Sequence, residues 1–466
     1  MRPLPVLALA LAPMLLLLAT SATTRTAARC ALDHSFCDNE EQAGRAAQVS
    51  VPSPPNPASL PVPSRRQAPW VDCAVEGKTC RGSGWGEVRY GTADRWRRVM
   101  VKGDAACGND LFGDPAPAVV KRCERRSADA PPMPASVVAI ASDFDPSALI
   151  GQGYHPIVAS NRPDVVGAFR IICTAGQLNY DDPILYPSTR GGSPHLHQWY
   201  GNTAAGYAST YASLRRSGRS TCSNELNRSA YWVPALMNAT GKVIQPDYIS
   251  LYYKRLPDSD PQCFKEATKG CTGLPTGLRV VSGYDMVRMG EKQPENATFH
   301  FRCISPGKPS EHRPLIAEAI ADCGGSGQVM AMIGFGNCWT GTLDSADHRS
   351  HLVFGDYIGQ AYPQCPASHP YKIPELTQGV VYTIQPSDGI VWFASDRMNG
   401  MTVPGGASFH ADYMEGWDPK ARATWERQCI GKLLNCSDGE LGDGTMLKRG
   451  NLTYLAATRL VEVPVR

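Results

Sequence analysis

Hydrophobic and polar positions alternate along much of the chain, in short runs bounded by glycine and proline. Alternation with a period of two places successive side chains on opposite faces of a strand, so it predicts half-buried β-strands. The clearest runs are YISLYYKR, TFHFRC, QVMAMIGF, GVVYTI, GIVWFAS and LTYLAAT. Helical spacing is confined to AAGYASTYASLRRSG, RPLIAEAIADC and ATWERQCIGKLL. The pattern therefore predicts a mainly β fold, a large β-sandwich or jelly-roll-like domain with a few decorating helices.

Two proline-rich stretches divide the chain into parts. VPSPPNPASLPVPSRRQAP and RRSADAPPMPASV favour extended backbone and cannot form a packed core, so we interpret both as linkers. The resulting division is a Cys-containing segment with the first linker at 29–69, a small module at 70–124, the second linker at 125–137 and the large β domain at 138–466.

The first 28 residues have the order of a secretory signal peptide. Arg2 precedes an apolar block from Leu4 to Leu18, and the small-residue stretch ATSATTRTAA follows. The apolar block is shorter than the ~20 residues that a bilayer span needs, and no later segment reaches that length. We therefore expect a secreted or extracellular protein, or a periplasmic one, with no membrane insertion after removal of the signal peptide.

The chain has 16 cysteines, an even number, and contains no Cys-x-x-Cys motif. This usage is typical of an exported, oxidised protein whose cysteines form disulfides. Close spacing predicts the pairs Cys30–Cys37, Cys73–Cys80, Cys107–Cys123, Cys263–Cys271 and Cys429–Cys436. The other six cysteines admit several connectivities that spacing alone does not sort.

The small module has four cysteines, three tryptophans and short alternating runs broken by glycine, which predict β-hairpins. A β module of this size needs disulfides for stability, because so short a chain forms only a small hydrophobic core. It resembles the small accessory modules of secreted enzymes that act on polymers. Trp70, Trp85 and Trp96 have two interpretations: stacking on sugars, or filling the core of the module. We expect at least one of them to fill the core.

Charge and missing motifs narrow the function classes. The formal net charge is +3, from 46 Lys and Arg against 43 Asp and Glu, without long runs. This balance argues against a nucleic-acid partner. There is no Gly-x-Ser-x-Gly elbow, no Walker loop and no Gly-x-Gly-x-x-Gly fingerprint, which disfavours esterase, nucleotide-binding and nicotinamide-dependent activities.

Six of the ten histidines lie in four motifs of the large domain, SPHLHQWYGN, LDSADHRSHLVF, CPASHPYKIPEL and SFHADYMEGW. Residues two apart on a strand point to one side, so His195 and His197 are placed to approach one ligand or metal together. A single histidine in a turn commonly makes only local hydrogen bonds. For six in related motifs, we expect that at least some converge.

These motifs, with FRIICTAGQLNYDDPILYP, STCSNELNRSAYWVPAL and PDYISLYYKR, carry a family resemblance. From about residue 140 to 440, the chain resembles the family called domain of unknown function nineteen ninety-six. Its members are secreted bacterial and fungal proteins, often joined to modules suspected of binding carbohydrate. The resemblance therefore implies a fold and an extracellular location, but no established reaction.

Two functional interpretations remain beside local packing of each histidine. The first is a metal site, in which His195 and His197 bind zinc or copper with help from a carboxylate. The second is a polar cleft for a polysaccharide or cell-wall polymer, in which histidine and aspartate act as acid and base. Cleavage in such a cleft would be that of a glycoside hydrolase or a polysaccharide lyase.

The predicted function is that of a secreted polysaccharide-binding protein with a cleft rich in histidine and aspartate, and the sequence leaves open whether the protein also cleaves the polymer. The alternatives are a non-enzymatic extracellular carbohydrate-binding protein and an extracellular zinc-binding or copper-binding protein. The residues assigned to the cleft share polar or aromatic side chains within the family motifs. The predicted catalytic residues are His197, His351, His410, Asp347 and Asp412, and the predicted ligand-binding residues are His195, His348, His369, Trp199, Asn202, Arg228, Trp232, Lys254 and Trp417.

Overall fold

A computed structural model describes residues 68–112, 114–127, 137–154, 158–160, 166–258, 260–264, 270–287, 299–308, 311–355, 364–450 and 458–466. The predicted signal peptide, the segment 29–67 with the Cys30–Cys37 pair, most of the second linker and the run LTYLAAT, apart from its last residue, lie outside these residues.

Short strands dominate both regions of the chain. The strands of the small module are β1 (Val71–Val75), β2 (Thr79–Cys80), β3 (Trp85–Thr92), β4 (Arg95–Lys102), β5 (Ala105–Ala106) and β6 (Arg122–Ser127). Those of the large region are β7 (Ile150–Gln152), β8 (Gly167–Cys173), β9 (Leu178–Asn179), β10 (His197–Gly201), β11 (Ala230–Pro234), β12 (Leu236–Met237), β13 (Val243–Ile244), β14 (Tyr248–Arg255), β15 (Gly270–Cys271), β16 (Arg279–Gly283), β17 (Phe299–Cys303), β18 (Gly327–Gly334), β19 (Cys338–Trp339), β20 (Leu352–Val353), β21 (Tyr371–Lys372), β22 (Glu375–Ile384), β23 (Trp392–Phe393), β24 (His410–Met414), β25 (Asn435–Cys436), β26 (Thr445–Leu447) and β27 (Leu460–Val461). The α-helices are α1 (Asn109–Phe112), α2 (Tyr211–Arg216), α3 (Ile316–Asp322) and α4 (Pro419–Trp425), and a π-helical turn (Glu426–Ile430) continues α4.

The small module is an antiparallel sheet in the order β1-β6-β3-β4. Alternation along β3 places Val88 and Tyr90 in a buried cluster with Phe112. The expectation that a tryptophan fills this core is wrong, because Trp70, Trp85 and Trp96 are only half-buried and lie outside the cluster. The core is aliphatic, tyrosine and phenylalanine side chains together with cysteines.

Two sheets of the large region share one hydrophobic core. A five-stranded sheet has the order β16-β24-β11-β10-β9, and a six-stranded sheet has the order β17-β18-β22-β14-β8-β25. The hydroxyls of Tyr231 in the first sheet and Tyr253 in the second lie 2.7 Å apart across this core. The prediction of a mainly β sandwich is confirmed.

Helices lie in the segments with helical spacing, and the described disulfides include those predicted from close cysteine spacing. Helix α2 begins after Thr210, whose side chain caps it, and the chain leaves through Gly218 at a φ of +76°. Four predicted disulfides are present, Cys73–Cys80, Cys107–Cys123, Cys263–Cys271 and Cys429–Cys436. The remaining cysteines pair as Cys173–Cys222, Cys303–Cys323 and Cys338–Cys365.

The disulfides fit an oxidising compartment, as the cysteine usage predicts. Within the described residues, no helix is both long enough and apolar enough to cross a membrane.

Candidate metal centre

Three of the six motif histidines meet at one end of the five-stranded sheet. His197 begins β10 and His410 begins β24, and β11 lies between these strands. His195 lies two residues before His197, in the segment that leads into β10. Because side chains alternate along a strand, His197 and His410 project from the face opposite to the shared core. Their neighbours Tyr200 and Tyr413 point into that core.

The imidazole rings are close and roughly perpendicular to one another. The ring centroids of His195 and His197 are 4.4 Å apart, and those of His195 and His410 are 4.9 Å apart. The Nε2 atoms of His195 and His410 are separated by 3.1 Å. One ligand atom from each of the three histidines lies within 4.8 Å of the others. Among the described residues, this is the one convergent group of metal-ligating side chains.

Backbone carbonyls fix the orientation of two rings. Nδ1 of His197 lies 3.0 Å from the carbonyl oxygen of Asp181, and Nδ1 of His410 lies 2.9 Å from that of Ser408. A carbonyl only accepts hydrogen bonds, so both Nδ1 atoms carry the proton. In the neutral ring, Nε2 then presents a lone pair, which is the outer-shell arrangement that metal-binding histidines use.

Burial keeps these rings neutral. His195 is 3 % exposed, and His197 and His410 are fully buried. Burial lowers the pKa of His197 to about 4. It lowers the pKa of His195 and of His410 well below the ordinary value, and the neighbouring histidines lower both further. Neutral imidazole is the form that binds a metal ion, so protons compete little for these nitrogens near neutral pH.

The separation of the nitrogens fits a shared ion. With metal–nitrogen bonds of about 2.0–2.1 Å, two imidazole ligands of a tetrahedral zinc ion have nitrogens about 3.3–3.4 Å apart. The 3.1 Å between His195 and His410 is close to this value. Within the described part of the chain, Nδ1 of His195 and Nε2 of His197 have no hydrogen-bond partner. Buried polar atoms without partners are uncommon, and coordination of a metal by Nε2 of His197 would satisfy that atom.

Two buried carboxyl groups lie on the same side of the sheet. Asp412 is fully buried, and neither of its carboxylate oxygens has a hydrogen-bond partner among the described residues. Burial raises its pKa well above the ordinary value, nearby Asp182 raises it further, and Arg349 opposes the shift. Burial also raises the pKa of Asp182 to about 6, although hydrogen bonds from the backbone N–H groups of Leu185 and Ile184 lower it.

Two stacked tryptophans lie on the same sheet as Asp412. The rings of Trp199 and Trp232 are 4.3 Å apart, and both side chains are fully buried under Ile184 and Leu214. Trp417 is also fully buried, in the core shared by the two sheets. The sequence assigns these three tryptophans to ligand binding, but in this structure other side chains cover all three.

The motif LDSADHRSHLVF forms its own turn beside the cluster. Both ring nitrogens of His351 have partners, Oγ of Ser345 at 2.9 Å and the carbonyl oxygen of Arg279 at 2.9 Å. Nδ1 of His348 lies 2.8 Å from Asp344. Asp347 accepts hydrogen bonds from the turn, and those from Ser350 and Ser345 hold its pKa well below the ordinary value although burial opposes them. The structure gives all three residues local structural partners.

His369 ties a second loop to this turn. Its Nε2 lies 2.7 Å from the carbonyl oxygen of Ser350, and its Nδ1 lies 2.8 Å from Oγ of Ser368. His369 is thus engaged outside the three-histidine cluster.

The remaining predicted ligand-binding residues also have local partners. The side-chain amide of Asn202 donates to the carbonyl oxygens of Leu214 and Ser217, which fixes the end of α2. Arg228 pairs with Asp143 at 3.3 Å. Lys254 lies on the six-stranded sheet and pairs with Glu375 at 3.5 Å. The structure does not bring these side chains to the histidine cluster.

Sequence reasoning missed one charged neighbour of the site. Arg349 donates to the carbonyl oxygens of Gly283 and Tyr284, and its charge lowers the pKa of His410 and of Asp412. Its position between the motif residues His348 and His351 was the only available signal. Asp182 accepts hydrogen bonds from the backbone N–H groups of Ile184 and Leu185 and so caps its own turn.

Comparison with known proteins gives one result. No curated protein and no solved structure matches the chain. One family model, described as Domain of unknown function (DUF1996), matches residues 182–417. The match contains the three clustered histidines and both buried aspartates. Because it spans just over half of the chain, this protein belongs to that family of unknown function.

Proposed function

We propose that this chain is an exported metalloprotein in which His195, His197 and His410 bind one transition-metal ion, zinc or copper. The observation that carries the proposal is the convergence of three buried neutral imidazoles, with an Nε2 to Nε2 distance of 3.1 Å at its centre. Imidazole suits both zinc and copper, and three protein ligands leave a coordination position for water or a small ligand.

Export is supported by the signal-peptide pattern of the sequence and by the disulfides of the described residues. Free thiolates are strong metal ligands, and no described cysteine is free. Imidazoles are therefore the ligands this part of the chain offers to such a metal.

Polysaccharide binding and cleavage remain predictions. The burial of Trp199 and Trp232 disfavours a polymer as the ligand, because both side chains would have to become exposed to contact it. The closed centre favours a small ligand, such as water, at the open coordination position. Bound zinc would act on that ligand as a Lewis acid.

Elemental analysis of the purified secreted protein tests the proposal directly. We expect about one equivalent of zinc or copper in the wild type, as one three-histidine site requires. The paired change His195→Gln with His410→Gln should abolish it. The matched control is His348→Asn, which removes a motif histidine outside the cluster from a position with a φ of +57°, where asparagine is tolerated. This control should keep the metal.

Copper(II) would give an electron paramagnetic resonance signal with nitrogen hyperfine splitting, which zinc does not give. The proposal fails if the wild type, reconstituted with either ion and then desalted, retains no metal. It also fails if the paired variant retains as much metal as the wild type.

A further inference from the structure

A second buried polar cluster lies in the six-stranded sheet, away from the three histidines. Lys254 and Glu375 are partners in the register of β14 and β22, and Nζ of Lys254 lies 3.5 Å from one carboxylate oxygen. The side-chain amide of Asn337 donates to the other carboxylate oxygen at 3.0 Å. All three residues are at least 95 % buried. One buried carboxylate therefore contacts both an amine and a primary amide.

The amide oxygen of Asn337 also has a donor. The backbone N–H of Gly355 lies 3.2 Å from it. A donor at a carbonyl oxygen stabilises the negative charge that develops there when a nucleophile attacks the carbonyl carbon. The cluster thus combines a nucleophile, an acid–base group in contact with the leaving nitrogen, and an oxyanion donor.

A second buried lysine, Lys372, lies near Glu375 of this cluster. Arg255 follows Lys254 in the chain, and Lys372 is fully buried, with its charge acting on Glu375 and Arg255. Burial lowers the pKa of Lys372 to about 7, although Asp260 and Glu375 oppose the shift. Positive neighbours disfavour the protonated form of an amine. Lys372 is therefore a second amine near Glu375, and it is the competitor of Lys254 as the nucleophile.

We infer that Lys254 and Asn337 form an intramolecular amide cross-link, with Glu375 as the acid–base group. Glu375 takes one proton from the Lys254 ammonium, and the neutral Nζ attacks the side-chain carbonyl carbon of Asn337. Glu375 then gives this proton to the amide nitrogen. The bond from the carbon to that nitrogen breaks, ammonia leaves with the bonding electrons, and Glu375 takes up the second proton of Nζ.

The reaction is balanced without an oxidant or a metal. An ammonium, a carboxylate and a primary amide become a secondary amide, a neutral carboxylic acid and ammonia. A buried ion pair is thereby replaced by neutral groups. Because desolvation of buried charges is costly, this replacement favours the cross-linked product.

Peptide mapping of the full-length secreted protein tests the inference. After reduction and tryptic digestion, we expect a branched peptide that joins residue 254 to residue 337, lighter than its two parts by one ammonia. Trypsin should not cleave after Lys254, because an acylated lysine carries no charge. Fragmentation of this peptide places the link and separates it from ammonia loss at another asparagine.

Three variants sharpen the test. Lys254→Met and Glu375→Gln should each give only linear peptides, whereas Lys372→Met should keep the branched peptide. Unmodified linear peptides at both positions of the wild type would overturn the inference, and so would a branch from Lys372. The wild-type map decides by itself, so a variant that does not fold leaves the test intact.

Discussion

The Nε2 atoms of His195 and His410 lie 3.1 Å apart, although 215 residues separate the two histidines in the chain. Two neutral imidazoles at this distance share at most one proton, because Nδ1 of His410 already donates to the carbonyl oxygen of Ser408. The same separation suits two ligands of one metal ion. The sheet therefore holds these rings where a metal would replace a hydrogen bond between them.

Metal binding should stabilise the protein through this pair. A ligand present at 100 times its dissociation constant stabilises the folded state by about 2.7 kcal/mol when it does not bind the unfolded chain. We expect the melting temperature of chelator-treated wild type to rise when zinc or copper is restored. His410→Gln should show no such rise. An equal rise in this variant would show that the stabilising metal binds elsewhere.

Asp412 should strengthen metal binding, although the three ligands of the metal are histidines. It lies two residues from His410 on the same face of β24, so its carboxyl group lies close to a bound cation, whose charge would favour the ionised form that burial disfavours. We expect Asp412→Asn to lower metal affinity by about 10- to 100-fold, as removal of outer-shell partners does. Competition with a chromophoric chelator measures this change.

Asp347→Asn is the matched control for that experiment. Asp347 accepts hydrogen bonds within its own turn and should have little effect on metal affinity. Unchanged affinity in Asp412→Asn would remove Asp412 from the metal centre.

The sequence predicts those features of the fold that depend on local pattern. The run YISLYYKR coincides with β14, because alternation places Ile249, Leu251 and Tyr253 on the face that packs into the shared core. Close cysteine spacing predicts four of the observed disulfides, because a short loop leaves few other partners. The sequence places His195 and His197 together for a similar reason, since residues two apart share one side of a strand.

The rest of the site depends on strand order, which local pattern does not encode. His410 joins the pair because β24 lies one strand away from β10, across β11. The burial of Trp199 and Trp232 depends on Ile184 and Leu214, which reach the sheet from other segments. Local sequence does not distinguish an exposed tryptophan from a covered one, so it predicts ligand binding for both residues.

Protonation of His312, which is not one of the three clustered histidines, should make the free energy of unfolding depend on pH. Its ring stacks on that of His300 with a centroid separation of 3.5 Å, and burial lowers its pKa to about 4. The unfolded chain binds a proton at this histidine near pH 6.5, whereas the folded chain does not until about pH 4. Stability from this group is therefore present above pH 6.5 and falls as the pH drops towards 4, by at most about 3 kcal/mol.

Denaturant unfolding at pH 7 and at pH 5 measures this loss. His312→Phe keeps an aromatic ring against His300 but does not titrate, so its free energy of unfolding should fall less between these two pH values. An identical fall in the variant and the wild type would assign the pH dependence to other groups.

Arg89 should hold the exposed face of the small module together. Its guanidinium lies 4.6 Å from the ring centroid of Trp70 and 4.3 Å from that of Trp96, so it is inserted between the two indoles. Arg126 and Arg122 cover the two rings further, at 4.4 Å and 5.2 Å. The faces that would stack on a sugar are thus occupied by cations.

Removal of Arg89 should therefore loosen the module and free the tryptophan faces. Each cation–π contact contributes about 0.5–1 kcal/mol at an exposed site, so Arg89→Met should destabilise residues 71–127 by about 1–2 kcal/mol. Hydrogen exchange should become faster in β3 and β6, while the three-histidine sheet is unaffected. Arg95→Met, on the neighbouring strand, is the control for loss of one positive charge. If both variants leave exchange unchanged, the stack of arginine and tryptophan contributes no stability, and the two indoles are available to a ligand at little cost.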